Sequence, residues 1–398
     1  MKKKLISLAV ASVLATPAVV SAQGTNVTLF GSAQAEYSTV DIDKTSSQAV
    51  IGDDTGRSRW GMHVSENLGA GLKAKAHIEY GLNLGNGNIG IARERWVGLA
   101  NDGWGEVKFG RVQSPFKDFA GGMTIDPFAY TSLQAGGSGG TMVASANGLG
   151  SGAQGFVNSA ARYDSPLVEG FAFSALLMPG DANRLDPALF GVGNQQNQPG
   201  GLNSGGEDGE WDFQIAGKYS SQYAGHGFDV FGGYSRDNVS TQQRRLIAGN
   251  VDDEEVWRGG ASWSFADFKL SGQYENINNA VGAATCTSGA MMGIAGDSRA
   301  QCNSAMNLNG DGHVWFTGGE YKIGNTRLVA QGGMTHARKV SGFNSTKDAR
   351  SFTVGAIHNL SRRSSVFGGY QRVDVKDHAP GVADADRNTY TAGIRHDF

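Results

Sequence analysis

Apolar residues recur at every second position in many stretches of this chain, and this pattern constrains its fold more than any other feature of the sequence. Residues 72–80 read LKAKAHIEY, so that apolar side chains alternate with lysine, histidine and glutamate. The same alternation returns at 27–37, 211–220, 267–275 and 388–398. In a β-strand it places apolar side chains on one face and polar ones on the other. The chain is therefore predicted to be all-β, with many half-buried strands.

The links between these stretches alternate in length. Seven short links of three to seven residues alternate with eight long ones, which gives about sixteen strands of roughly ten residues each. An even number of antiparallel strands, with short turns at one rim and long loops at the other, is typical of a membrane β-barrel. A soluble sandwich would also alternate, but it would bury one small core. Closure of the barrel also leaves no sheet edge, whose unpaired backbone N–H and C=O groups could not form hydrogen bonds with lipid. The sequence predicts an antiparallel transmembrane β-barrel.

The first 22 residues differ from the rest of the chain. Residues 1–22 read MKKKLISLAVASVLATPAVVSA, with three lysines, an apolar run and a small-residue end, which predicts a cleaved signal peptide. Residues 23–398 are expected to form one barrel domain. Loss of the three lysines changes the formal charge from −3 to −6, so a nucleic acid partner is not expected.

Two cysteines lie in one long loop. Cys286 and Cys302 are separated by fifteen residues in a stretch rich in Gly, Ser and Ala. In an exported protein the expected state is a local disulfide, with two free thiols as the alternative.

One long segment shows no clear period. Residues 110–158 are rich in Gly, Ser and Ala, and long irregular loops of this kind are usually functional. We expect residues 113–155 to fold into the barrel and narrow it. The segment carries Asp118 and Asp126, for which a position at the loop surface is the alternative to a place in the aperture.

A series of arginines flanks this segment. Arg59, Arg93 and Arg162 each follow a long loop, so each is expected early on a strand that descends from the long-loop rim. A charge on the lipid face would cost a few kcal/mol, which favours side chains that point into the lumen. Arg57 and Arg95 share the parity of Arg59 and Arg93 and would extend the row. We expect these arginines to face Asp118 and Asp126 across the aperture.

Five stretches resemble the general diffusion porins of Gram-negative outer membranes, a family of trimeric 16-stranded barrels. The stretches are SRWGMHVSENLGAGLKA from Ser58, ARERWVGLANDGWGEVKFGR from Ala92, SPFKDFAGG from Ser114, ARYDSP from Ala161 and YTAGIRHDF from Tyr390. The resemblance implies an inward third loop, with Arg59, Arg93 and Arg162 as a group of arginines opposite it and Asp118 as a loop acid. Lys117 adds a positive charge to the loop motif.

The same resemblance implies partners and a location. The protein is expected in the outer membrane as a homotrimer, in contact with lipid and lipopolysaccharide, where small hydrophilic solutes and ions diffuse through it. A substrate-selective channel is the alternative, but Phe30, Phe231 and Phe367 form no evident aromatic track. A barrel enzyme is less favoured because it needs a nucleophile or an activated water with positioned partners, which His63 and His77 alone do not supply.

No cofactor or metal motif is evident. Residues 307–312 resemble the start of a calcium loop, but its twelfth position is Gly318 instead of a bidentate glutamate. We expect a turn-rich loop there, and neither a metal nor a cofactor.

Overall fold

The computed structural model describes eleven stretches of the chain. These are residues 23–42, 47–52, 57–85, 87, 89–135, 156–179, 211–238, 253–280, 310–340, 345–377 and 384–398. The predicted signal peptide, Cys286, Cys302 and the second half of the irregular loop, residues 136–155, lie outside the described residues, and so do residues 307–309 of the calcium-like stretch.

Sixteen antiparallel strands form a closed barrel, which confirms the predicted fold class and strand number. A short seventeenth segment, β2, lies beside the first of them. The strands are β1 (Gln23–Ile42), β2 (Gln48–Gly52), β3 (Arg59–Gly69), β4 (Leu72–Leu82), β5 (Ile89–Asn101), β6 (Gly105–Gln113), β7 (Phe156–Asp164), β8 (Phe171–Pro179), β9 (Trp211–Tyr223), β10 (His226–Asp237), β11 (Glu254–Phe265), β12 (Phe268–Ala280), β13 (Gly310–Ile323), β14 (Thr326–Val340), β15 (Ser345–Asn359), β16 (Ser364–Asp377) and β17 (Ala385–Asp397).

The first strand closes the barrel because it pairs on both sides. One half of β1, from Ser32 to Ile42, pairs with β17, and the other half, from Gln23 to Ser32, pairs with β3. In the part of the chain that the structure describes, each of the sixteen barrel strands therefore pairs with a neighbour on both sides, as a membrane-embedded sheet requires. Among the described residues, no helix is both long and apolar enough to cross a membrane.

The two faces of the wall differ as the alternation predicts. The outer face carries exposed apolar side chains such as Val97, 61% exposed, and Phe109, 54% exposed. The inner face carries buried polar side chains such as Gln34, Glu36 and Gln214. An apolar outer face and a polar lumen are the arrangement of a transmembrane barrel, which explains how a chain with only 39% hydrophobic residues adopts this fold.

One β-bulge interrupts the alternation in β5. Ile78 pairs with Arg95 and Tyr80 pairs with Ala92, so that Arg93 and Glu94 together stand opposite Glu79. A bulge redirects the side chains that follow it. Arg93 therefore points into the lumen and binds Glu79, whereas the exposed Arg95 lies with its guanidinium 4.3 Å from the ring centre of Tyr80. Arg95 was expected to join the row of arginines that point into the lumen, because it shares the parity of Arg93. It does not, because the bulge shifts the alternation of inward and outward side chains by one residue.

Candidate functional site

The segment after β6 packs against the inner wall. A short helix, α1 (Pro115–Asp118), begins with a proline whose fixed φ suits the first helical turn, and a 3₁₀ turn (Gly122–Thr124) follows. Phe116 is fully buried among wall residues that include Phe231 and Phe316. Phe128 and Leu133 are fully buried in a second cluster with wall residues that include Phe367. Phe231 and Phe367 thus pack against the loop and do not form an aromatic track.

Polar side chains of the wall bind the backbone of this segment. Two glutamine side-chain oxygens accept hydrogen bonds from loop amides, at 2.8 Å from Phe116 N to Gln214 and 2.8 Å from Gly122 N to Gln273. On the other side of the barrel, Gln34 Nε2 donates to Tyr130 O at 2.5 Å, and Gln371 Nε2 donates to Gln134 O at 2.7 Å. Ser132 N donates to Glu36 Oε2 at 2.9 Å. The segment is held at several points around the circumference, and its backbone groups are satisfied away from water.

A buried arginine on β11 also binds the segment. Arg258 Nη1 donates to Ala120 O at 2.8 Å and to Phe116 O, and the guanidinium carbon lies 4.3 Å from the ring centre of Phe116. Arg258 Nε donates to Glu275 Oε1 of β12 at 2.7 Å. Nothing near Arg258 along the chain indicates that the loop reaches it, so this pair could not be predicted from the sequence.

Four cationic side chains surround Tyr130 of the loop. The guanidinium carbons of Arg57 and Arg59 lie 5.8 Å from its ring centre and that of Arg93 lies 5.7 Å away, while Lys117 Nζ lies at 5.7 Å. Cations at these distances are attracted to the face of an aromatic ring. We refer to Arg57, Arg59, Arg93, Lys117 and Tyr130 as the basic cluster. The sequence predicted the arginines but missed the tyrosine on which they converge.

Tyr130 has an unusual backbone and an acidic phenol. Its φ is 62°, in the left-handed region that non-glycine residues rarely adopt. Residues held in this conformation are concentrated at functional sites. Burial opposes ionisation of the phenol, but Lys117, Arg93 and Arg59 outweigh it and lower the pKa of Tyr130 to about 8. The cluster therefore holds a group that can become negative just above neutral pH.

Two carboxylates partly balance the basic cluster. Glu79 of β4 is buried, accepts a hydrogen bond from Arg93 Nε and lies 3.5 Å from Arg59 Nε. Arg57 Nη2 is paired with Asp397 at 2.9 Å. Lys117 Nζ lies 3.7 Å from the ring centre of Phe156, and burial lowers the pKa of Lys117. Four cations against these two carboxylates leave the cluster formally positive.

Arg162 belongs to a second, balanced group. Arg162 Nη1 contacts Asp118 at 2.7 Å and its Nε contacts Asp164 at 2.9 Å, while Lys108 Nζ contacts Asp164 at 2.9 Å. Asp118 therefore pairs directly with one predicted arginine and does not face the row across water. Lys108 also contacts Glu106, which pairs with Lys75, so three cations and three carboxylates leave this group near neutral.

Asp126 has partners within the loop. It is only 5% exposed, and its carboxylate accepts hydrogen bonds from Phe128 N at 2.9 Å and Ala135 N at 2.8 Å. Burial raises the pKa of Asp126 to about 6, although hydrogen bonds from Ala135, Gln331 and Phe128 act in the opposite direction. Asp126 thus closes the turn at 126–135, and neither the aperture position nor the surface position matches its contacts.

The chain is similar to known proteins along nearly its whole length. A model of the Gram-negative porin family matches residues 8–378. Outer membrane porin protein 32 of Delftia acidovorans is 26% identical over 423 aligned positions, with 100% of both chains covered.

Two solved structures share the fold. The anion-selective porin from Comamonas acidovorans has a TM-score of 0.62 at 19% identity, covering 94% of this chain and 100% of that one. The trimer form of OmpT, an outer membrane protein of Vibrio cholerae, has a TM-score of 0.56 at 13% identity, covering 94% of this chain and 100% of that one.

Proposed function

The chain belongs to the Gram-negative porin family, and we propose that its channel is narrowed by the loop 113–155 and prefers anions because of the basic cluster. The protein is an outer-membrane porin that forms a water-filled channel for passive diffusion of small hydrophilic solutes, and it is not an enzyme.

The observation that carries the proposal is the convergence of four cations on Tyr130. Arg57, Arg59 and Arg93 come from the wall and Lys117 comes from the loop, so the positive charge stands where loop and wall meet. In a confined passage these local charges count for more than the mature net charge of −6, because charges at the rims are screened within about 8–10 Å at physiological salt. Asp118 adds no free negative charge, since Arg162 pairs with it. The anion selectivity of the similar Comamonas porin supports this assignment.

The first prediction concerns ion selectivity and its pH dependence. In planar bilayers with a potassium chloride gradient, the reversal potential at pH 7 is expected to indicate a preference for chloride. Raising the pH from 7 to 9 deprotonates Tyr130, whose pKa is about 8, and adds a negative charge beside Arg59, Arg93 and Lys117. The chloride preference should therefore fall across this interval.

Tyr130→Phe provides the matched control for this prediction. The variant keeps the ring that the cations contact but has no ionisable hydroxyl, so its reversal potential should change less between pH 7 and 9 than that of the unaltered protein. Cation preference of the unaltered protein at pH 7 would refute the proposed role of the basic cluster. An equal pH response in Tyr130→Phe would show that another group titrates.

We also propose that the barrel assembles as a homotrimer in contact with outer-membrane lipid and lipopolysaccharide. The trimer form of the similar OmpT and the apolar outer face, with side chains such as Val27 and Leu29 exposed, support this assembly. Native mass measurement in mild detergent is expected to give three times the mass of the mature chain. A stable monomer under those conditions would contradict the trimer.

A further inference from the structure

One short turn at the rim of the barrel differs in charge from the six others, and all seven lie within the described residues. The turn at 360–363, between β15 and β16, reads LSRR and carries Arg362 and Arg363. Three of the other short turns carry one acidic residue each, namely Asp102, Glu169 and Asp267, and three carry no charged residue. The positive charge of the short turns is therefore confined to one sector of this rim.

Ser361 holds the two arginines in a defined turn. Its Oγ accepts hydrogen bonds from Arg363 N at 3.1 Å and from Ser364 N at 3.0 Å. Arg363 O accepts a hydrogen bond from Asp397 N of β17 at 2.8 Å, so the turn is also bonded to the neighbouring strand. Both arginine side chains are exposed. The turn therefore presents two guanidinium groups from a fixed backbone.

No carboxylate side chain neutralises these two arginines. At this end of β14 to β17 the only acidic side chain is that of Asp397, over residues 326–330, 354–369 and 392–398. Asp397 pairs with Arg57 of the basic cluster at 2.9 Å. Within the described part of the chain, neither Arg362 nor Arg363 forms an ion pair. Both guanidinium groups are therefore available to an anionic ligand.

Two histidines lie next to the basic turn. His358 of β15 and His396 of β17 are exposed. Thr326 Oγ1 lies 2.8 Å from His358 Nδ1, and Ser364 Oγ lies 2.9 Å from His396 Nδ1. A hydroxyl that donates to Nδ1 leaves the ring proton on Nε2. Each ring can then donate a hydrogen bond from Nε2 to an anion even when the ring is uncharged.

These histidines lie on the outer face of the barrel wall. Ile357 is buried in the cluster that the loop forms with the wall, and Arg395 Nη2 donates to Ala129 O of the loop at 3.3 Å. Because successive side chains of a strand point to opposite faces, His358 and His396 point outwards. The basic turn and the two histidines therefore meet the surroundings of the barrel and not its channel.

Apolar and small residues adjoin the histidines on the same face. Val366 of β16 and Ile394 of β17 are directly opposed. In the next row Ala356, Gly368 and Ala392 stand side by side across β15, β16 and β17. Their small side chains leave a shallow strip that a hydrocarbon chain can cover.

This combination matches the two ends of an anionic phospholipid. The short turns of an outer-membrane barrel face the periplasm, and the membrane leaflet on that side consists of phospholipids. The guanidinium group of arginine presents forked donors that match a phosphate group. The apolar rows run from the turn towards the middle of the membrane, which is the direction of the acyl chains.

We propose that this sector binds one anionic phospholipid of the periplasmic leaflet through its phosphate group. The phosphate ligands are Arg362, Arg363, His358 and His396. The acyl chains lie over the apolar rows that begin at Val366. The inference rests on the proposed contact with outer-membrane lipid and is independent of the basic cluster and of ion selectivity.

Native mass spectrometry of the detergent-folded protein tests the site, with dioleoyl phosphatidylglycerol as the probe. The unaltered protein is expected to bind one phosphatidylglycerol per chain, more tightly than dioleoyl phosphatidylcholine, whose headgroup has no net charge. Arg362→Gln with Arg363→Gln should weaken phosphatidylglycerol binding about 20-fold, since each basic residue beside an anionic lipid contributes about fivefold. His396→Phe keeps a ring at the site but removes Nε2, so it should also weaken binding.

A matched control removes two charges from the same strands at the opposite rim. Arg350 of β15 and Lys376 of β16 are exposed near the long loops, so Arg350→Gln with Lys376→Gln should bind phosphatidylglycerol like the unaltered protein. Equal affinity for the two lipids, or unchanged affinity in the Arg362 and Arg363 double variant, would overturn the proposal. The same spectra give the mass of the oligomer, so loss of the lipid site is distinguished from absence of the proposed trimer.

Discussion

Replacing Arg59 and Arg93 by glutamine is expected to turn the preference of the channel from chloride towards potassium. The double variant removes two of the four cations around Tyr130 and leaves Glu79 without its two arginine partners. Two cations then remain in the cluster against the carboxylates of Glu79 and Asp397, so the local positive charge is lost. The reversal potential in a potassium chloride gradient measures the change, which should be the largest shift produced by any pair of substitutions in the lumen.

Two further variants make this result specific. Adding Glu79→Gln to the double variant removes the unpaired buried carboxylate, so the preference should return part of the way towards chloride. Arg95→Gln serves as the matched control, because Arg95 lies beside Tyr80 and away from the lumen cluster. If Arg95→Gln shifted the reversal potential as much as the double variant, the basic cluster could not be the selective element.

Replacing Arg258 by methionine is expected to release the loop from the wall and to destabilise the protein. The variant removes the donor to Phe116 O and Ala120 O and leaves Glu275 buried without its arginine. Breaking a buried ion pair by removing one partner costs about 3–5 kcal/mol. Single-channel recordings should show a larger and noisier conductance, and thermal unfolding should begin at a lower temperature.

A double variant separates the two effects. Arg258→Met with Glu275→Gln also removes the carboxylate charge that Arg258 normally offsets, so it should recover much of the stability while the loop carbonyls still lack their arginine donor. The increased conductance should persist in this double variant. Arg327→Met is the control, since Arg327 pairs with Glu320 of the neighbouring strand at 2.8 Å and should leave conductance unchanged. Unchanged conductance in Arg258→Met would contradict the anchoring role.

The strand pattern was predictable from the sequence because it is local. Alternation of apolar and polar side chains, as at 72–80, depends on neighbouring residues and on which face meets lipid. The number of strands follows from the alternating short and long links. Closure follows from the cost of unpaired backbone groups in lipid. These conclusions required no knowledge of which strand touches which loop.

The composition of the site depended on contacts that the sequence pattern does not contain. Their parity predicted that Arg93 and Arg95 would point to the same face of β5, but the bulge turns them to opposite faces. A bulge of one residue is not evident from the alternation of apolar and polar residues in the sequence. Asp118 was expected to face arginines across water, yet the loop approaches the wall closely enough for a direct pair with Arg162.

Two other roles depended on contacts that the alternation does not encode. Asp126 was expected in the aperture or at the loop surface, but it binds backbone amides of its own loop. Arg258 anchors the loop because the loop backbone lies within hydrogen-bonding distance of it. The sequence by itself determined the barrel and the polarity of its faces, because a repeated local period encodes them. Only the tertiary structure decided which charges meet, because a hydrogen bond or ion pair depends on distances of a few ångströms between segments that the alternation leaves independent.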